Sequence, residues 1–142
     1  MKIRIFGLVI LSLCLMSMIS PISAGIYDTY VTMDPSYTVH HGDNVTVKVE
    51  LFSKEGGFLG SDGWLEHGRL FYSVIAKNKN DAFIWVMRDE FKTNMWGNGY
   101  FTIDTSGLEP GQYALEVDVP RSYSTEGDIF LSSEGSAGLL VT

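Results

Sequence analysis

Cysteine is nearly absent. The 142 residues include one, Cys14, inside an N-terminal apolar stretch, so residues 25–142 have none. A disulfide framework and a cysteine nucleophile are therefore excluded from that part, although small exported domains often rely on disulfides. Cations are also scarce, with 10 Lys and Arg against 17 Asp and Glu and a net charge of −7. That balance argues against nucleic acid or an anionic membrane surface as partner. Enzyme signatures are missing as well. The sequence holds no G-x-S-x-G, no H-E-x-x-H and no phosphate-cradling glycine loop, and the expectation is a protein that is not an enzyme. Asp89 and Glu90 are adjacent, a spacing that does not make a catalytic acid pair.

The N-terminus reads as a signal peptide. Lys2 and Arg4 precede an uncharged, mostly apolar run from Ile5 to Ile19, followed by Ser20-Pro21-Ile22-Ser23-Ala24. This is the order of a basic region, an apolar region and a small-residue cleavage site. The run of 15 residues is short of the ~20 that cross a bilayer as a helix. Leu13, Leu15 and Met16 around Cys14 exclude a lipoprotein signal. The expected organisation is a signal helix over 1–24 and one domain over 25–142, secreted or at the cell surface, with no membrane span after cleavage. Cleavage after Ala24 leaves 118 residues and removes two cations and no acid, taking the net charge to −9. A core of that size holds a fold without disulfides. The chain ends at Thr142 just after an apolar run, with no tail expected to carry an anchor.

What is present is a period of two. Val45, Val47, Val49 and Leu51 alternate with Thr46, Lys48 and Glu50; Tyr113, Leu115, Val117 and Val119 alternate with Ala114, Glu116 and Asp118. These two strands face a core on one side. Further strands are expected over 27–33, 70–76, 82–87, 100–103 and 137–141. The run Ala82–Met87 is continuously apolar and reads as covered on both faces. The stretch Asp89–Met95 is the one segment with helical character. Seven strands separated by turn residues predict an all-β antiparallel sandwich. Two long connections remain, the glycine-rich 53–69 and the serine-rich 120–135, the latter with a short edge strand at Ile129-Phe130-Leu131. Long loops in a compact domain tend to carry function.

Two segments resemble a known superfamily. Val39-His40-His41-Gly42-Asp43-Asn44-Val45-Thr46-Val47, and Asn98 through Val117 with its Leu108-Glu109-Pro110-Gly111-Gln112-Tyr113 turn, are similar to immunoglobulin-like sandwiches of secreted and surface proteins. The likeness is to macroglobulin-type and bacterial or archaeal modules. It implies a fold and no particular activity. It also implies a tyrosine corner at Tyr113, Leu115 with Val47 or Val49 in place of the core cystine, and Trp85 in place of the core tryptophan.

Candidate sites follow from exposed chemistry. Phe58, Trp64, Trp96 and Tyr123 sit in or beside loops, where aromatic side chains anchor a protein or stack on a sugar; alternatively they fold back as caps. Tyr72 is a further aromatic without a clear place. Asn44-Val45-Thr46 is the one N-glycosylation sequon. His40 and His41, with Glu66 and His67 elsewhere, are too poorly spaced for zinc and read as polar turn residues. Asp43, Asp62, Asp81, Asp104 and Asp128 lie in predicted turns, where aspartate bonds its own backbone. No D-x-D-x-D-G run is present, and no cofactor is expected, with calcium at a sandwich end left as an open alternative. The leading expectation is a non-catalytic module at the cell envelope that binds a protein or glycan through the loops 53–69 and 120–135. A structural or assembly subunit pairing through the run Ala137–Val141 as an edge strand is the alternative. A secreted hydrolase or inhibitor is the weaker one.

Overall fold

The computed structural model describes residues 25–53, 70–94, 96–123 and 127–142. The signal helix expected over 1–24 lies outside them. The strands, in chain order, are β1 (Ile26–Tyr27), β2 (Thr29–Thr32), β3 (Ser36–Val39), β4 (Asn44–Ser53), β5 (Leu70–Lys77), β6 (Phe83–Phe91), β7 (Asn98–Asp104), β8 (Gly111–Val119), β9 (Ser122–Tyr123), β10 (Ile129–Phe130) and β11 (Ser133–Val141). One 3₁₀ turn, Thr105–Gly107, stands between β7 and β8. Among the described residues there is no α-helix, and none is long and apolar enough to cross a membrane.

The chain is all-β, and the strands form a sandwich. One layer has the order β2-β4-β7; the other has the order β3-β11-β8-β5-β6; β1-β10-β9 form a small separate sheet whose Phe130 joins the same core. The two alternating strands behave as their periodicity demands. Val47, Val49 and Leu51 of β4 and Leu115 and Val117 of β8 are wholly buried, with Val119 close behind. They meet Leu70 and Val74 of β5, Ile103 of β7 and Val141 of β11 in one core. Among the described residues no tryptophan fills that core. An aromatic trio does: Tyr72 and Phe101 stack with ring centres 4.1 Å apart, and Phe91 lies 4.9 Å from Phe101. Tyr72 is thus a core residue.

Several expectations change. The predicted strand 27–33 is two, β1 and β2, and β3 follows it unannounced. Asp34-Pro35 reads as a terminus, but it is a crossing point. Val31 on β2 pairs antiparallel opposite Leu51, and after Pro35 the chain joins the other layer, where β3 runs parallel to β11. The Pro35 carbonyl accepts from the Gly138 amide at 2.9 Å, so a residue lacking an N–H still ties the crossing down. With β1 parallel to β10, the sandwich is mixed and not purely antiparallel. Strand β11 starts at Ser133, earlier than its apolar run, because its inward positions there are small; a Cβ on Gly135 would stand 2.5 Å from a Val31 methyl. Strand β11 is also no edge. It is paired with β3 on one side and with β8 on the other, which removes it as an assembly edge. Asp89–Phe91 belong to β6, so the helix expected there is absent.

Candidate functional site

The feature that sequence reasoning missed is the exposure of β6, the strand expected over 82–87. Among the described residues this strand is one of the two margins of the five-stranded sheet, the short β3 being the other. Phe83, Ile84, Trp85 and Val86 are 69, 45, 65 and 40% exposed. The reading of 82–87 as covered on both faces is therefore wrong, and so is Trp85 as the core tryptophan. A continuous apolar run is the mark of a central strand, but the same run arises where a strand is bulged at an edge.

The bulge is visible in the register. Ser73 pairs with Arg88 and Val74 with Met87, but Ile75 pairs with Trp85, leaving Val86 as the extra residue. Residues three apart on a regular strand face opposite ways. The extra residue reverses that, so Trp85 and Arg88 share the outer face, together with Phe83. Arg88 organises this face. Its guanidinium lies 4.6 Å from the Trp85 ring centre and 5.2 Å from that of Phe71. Its Nη1 donates to Ser73 Oγ at 3.0 Å and to Asp118 Oδ2 at 3.3 Å. Lys77 Nζ stands 5.4 Å from the centre of the Phe83 ring. Each cation–aromatic contact contributes on the order of 0.5–1 kcal/mol at an exposed site, and together they restrict the side chains before any partner arrives. Large apolar groups left in water and held in place are what an interface anchor requires.

A groove of about 470 Å³ continues the outer face, lined by Phe71, Arg88, Asp118, Val119, Ser133 and Glu134 among others. The β5–β6 turn is closed by Asn78, whose Oδ1 accepts from the amides of Asn80 and Ala82 at 2.8 and 3.0 Å. Asp81 takes φ 59° there, a conformation that aspartate tolerates better than most residues.

The residues named from sequence are dispersed. Phe58, Trp64, Glu66, His67 and Asp62 lie outside the described residues. Trp96 is 65% exposed, on a turn in which Asn94 Oδ1 accepts from the amides of Trp96 and Asn98. Tyr123 is 52% exposed, and the Arg121 guanidinium lies 5.8 Å from its ring centre. Neither belongs to the β6 surface. Asn44 is exposed at the start of β4. His40 and His41 diverge: Nδ1 of the first is 2.7 Å from Thr142 Oγ1, and Nδ1 of the second is 2.7 Å from the Leu108 carbonyl oxygen. A carbonyl only accepts, so the His41 Nδ1 carries a proton. Of the described aspartates, Asp104 does the turn chemistry expected of it, whereas Asp128 reaches across the chain to Gly25. Asp128 Oδ1 accepts from the Gly25 amide at 2.8 Å, and Asp104 caps the 3₁₀ turn. Among the described residues no three acids or histidines gather as metal ligands would.

No family model and no curated protein matches this sequence. Solved structures of similar shape include the endo-beta-1,4-mannanase from Thermotoga petrophila, with 11% identity and a TM-score of 0.46 over 80% of this chain. The chain spans 20% of that protein's length. Murine CRIg is similar at 11% identity and a TM-score of 0.44, over 80% of this chain and 98% of that one. Likeness at this level says nothing of ligand or chemistry.

Proposed function

We propose that this chain is an exported, immunoglobulin-like, non-catalytic module that binds a protein partner through β6 and the outer face of the five-stranded sheet. The observation that carries the reading is the run Phe83–Val86, four exposed apolar residues in succession on a strand with a free edge. Backbone groups along such an edge accept an added strand, and the aromatic side chains supply affinity. The arrangement of strands and the Tyr113 hydroxyl donating to the Glu109 carbonyl at 2.6 Å support an immunoglobulin-like assignment, since that bond is the tyrosine corner of such domains. Export is supported by the N-terminal pattern of Lys2, Arg4 and the apolar run before Ala24.

The test is capture by immobilised protein from cell-envelope extracts and from suspensions of insoluble polysaccharide. Trp85→Glu and Phe83→Ala abolish capture from envelopes on this reading, while Trp96→Ala and Tyr123→Ala preserve it. Capture lost in the Trp96 or Tyr123 variants and kept in the β6 variants refutes it and returns the function to the loops. Retention on polysaccharide alone makes the ligand a glycan.

A further inference from the structure

We propose that the partner seated on β6 is a second copy of this chain, paired antiparallel edge to edge about a two-fold axis that passes through Ile84. The inference rests on the reading of β6 as a binding surface and adds the identity of its occupant. It comes from the order of chemistry along the β5–β6 hairpin. Lys77, Lys79 and Asp81 stand at the turn end, Phe83–Val86 occupy the middle, and Asp89 and Glu90 stand at the far end between Lys92 and Arg88, the latter bonded to Asp118. All of these side chains are exposed. A two-fold axis through Ile84 reverses direction, so it lays Lys79 of each copy opposite Asp89 of the other. Antiparallel pairing thus sets this lysine against this acid, whereas a parallel pairing sets lysine against lysine and acid against acid.

The aromatic positions fit the same axis. With Ile84 on it, Phe83 of each copy stands opposite the partner copy's Trp85. Phe83 and Trp85 share the outer face, as their partners Lys77 and Ile75 on β5 do. Opposite residues of an antiparallel pair also share a face, so two equivalent Phe–Trp pairs form across the seam. The three residues Phe83–Trp85 precede the bulge at Val86, so the seam lies on the regular arm of the strand. Joining the β6 margins merges two five-stranded sheets into one of ten. It satisfies the row of backbone donors and acceptors that an open edge leaves to water.

The test is sedimentation velocity on protein expressed from the full sequence and purified in the form that accumulates, its N-terminus read by mass spectrometry. The expected result is a concentration-dependent monomer–dimer equilibrium. Trp85→Glu and Ile84→Pro each weaken it tenfold or more. Lys79→Glu alone weakens it, Asp89→Lys with Glu90→Lys alone weakens it, and the three changes in one chain restore it. The charge set reports even if Ile84→Pro fails to fold, because those side chains lie on the surface. A monomer at every concentration overturns the proposal, as does a dimer indifferent to Trp85→Glu and to the charge set. A monomer whose capture by envelope extract is still lost in Trp85→Glu overturns the second copy and leaves the β6 reading standing. A monomer whose capture ignores Trp85 overturns both.

Discussion

Gly99 lies directly beneath the ring of Phe91. A Cβ at Gly99 would stand 2.7 Å from the Phe91 Cε2 and 3.3 Å from the Thr93 methyl. The bare backbone of β7 lets the end of β6 fold over it, and this brings Phe91 to Phe101 and Tyr72. Gly99→Ala forces the ring out of the trio and destabilises the fold by about 1–3 kcal/mol, as overpacking does. Urea denaturation measures it; a loss below about 0.5 kcal/mol, the scale of an ordinary surface change, contradicts this account of the trio.

Tyr113 anchors the turn before β8. Its hydroxyl donates to the Glu109 carbonyl at 2.6 Å, and Leu108 beside it is buried. Tyr113→Phe keeps the ring and removes the bond, with an expected loss of about 1 kcal/mol. Thermal unfolding at fixed pH checks this, and an unchanged midpoint would deny the hydroxyl any anchoring role.

Thr105 is wholly buried and ties three backbone groups together. Its Oγ1 accepts from the Gly42 amide at 3.0 Å and lies 2.6 Å from the Asp43 carbonyl and 3.1 Å from that of His40. One hydroxyl has one proton, and the shorter contact to Asp43 takes it. Thr105→Val keeps the shape and leaves the Gly42 amide without this acceptor. The expected loss is about 1–3 kcal/mol. Thr105→Ser, which retains the oxygen, recovers most of it in the same denaturation assay.

Asp104 gives the fold a small acid dependence. The Ser106 side chain and then the Ser106 amide hydrogen-bond to its carboxylate and hold its pKa below the ordinary aspartate value. A depressed folded pKa contributes stability that is present above the unfolded pKa and is lost as pH falls through the folded one. NMR titration of the Asp104 carboxyl should therefore give a midpoint below that of an unstructured aspartate. Asp104→Asn keeps a capping oxygen and removes this part of the acid response. An ordinary midpoint for Asp104 contradicts the capping geometry.

The sandwich was readable where periodicity and burial agree. Val47, Val49, Leu115 and Val117 alternate in sequence and are buried in the structure, because one face of each strand meets the core. Strand β3 was hidden because Pro35 marks a break, and only the partner carbonyl–amide bond to Gly138 shows that the chain changes layers there. The start of β11 was hidden because Ser133, Gly135 and Ala137 are too small to signal a core face, although Gly135 admits Val31 closely. The β6 surface was misread for a sharper reason. One bulged residue, Val86, decides which face Trp85 occupies, and a bulge has no side-chain signature. The charged Arg88-Asp89-Glu90 directly after the apolar run was the available hint, since charges on an apolar strand are how exposed edges are guarded.

The most direct test is amide hydrogen exchange on β6. Mass spectrometry of peptides covering 82–91 would compare dilute protein with the same protein bound, whether to an envelope partner or to itself at high concentration. Fast exchange at the free edge when dilute, slowing over Phe83–Phe91 on association while the turn at Trp96 and the strand at Tyr123 stay unchanged, is the predicted result. Protection gained at 96–99 or 121–123 with β6 unaltered would contradict it and place the binding surface at the loops.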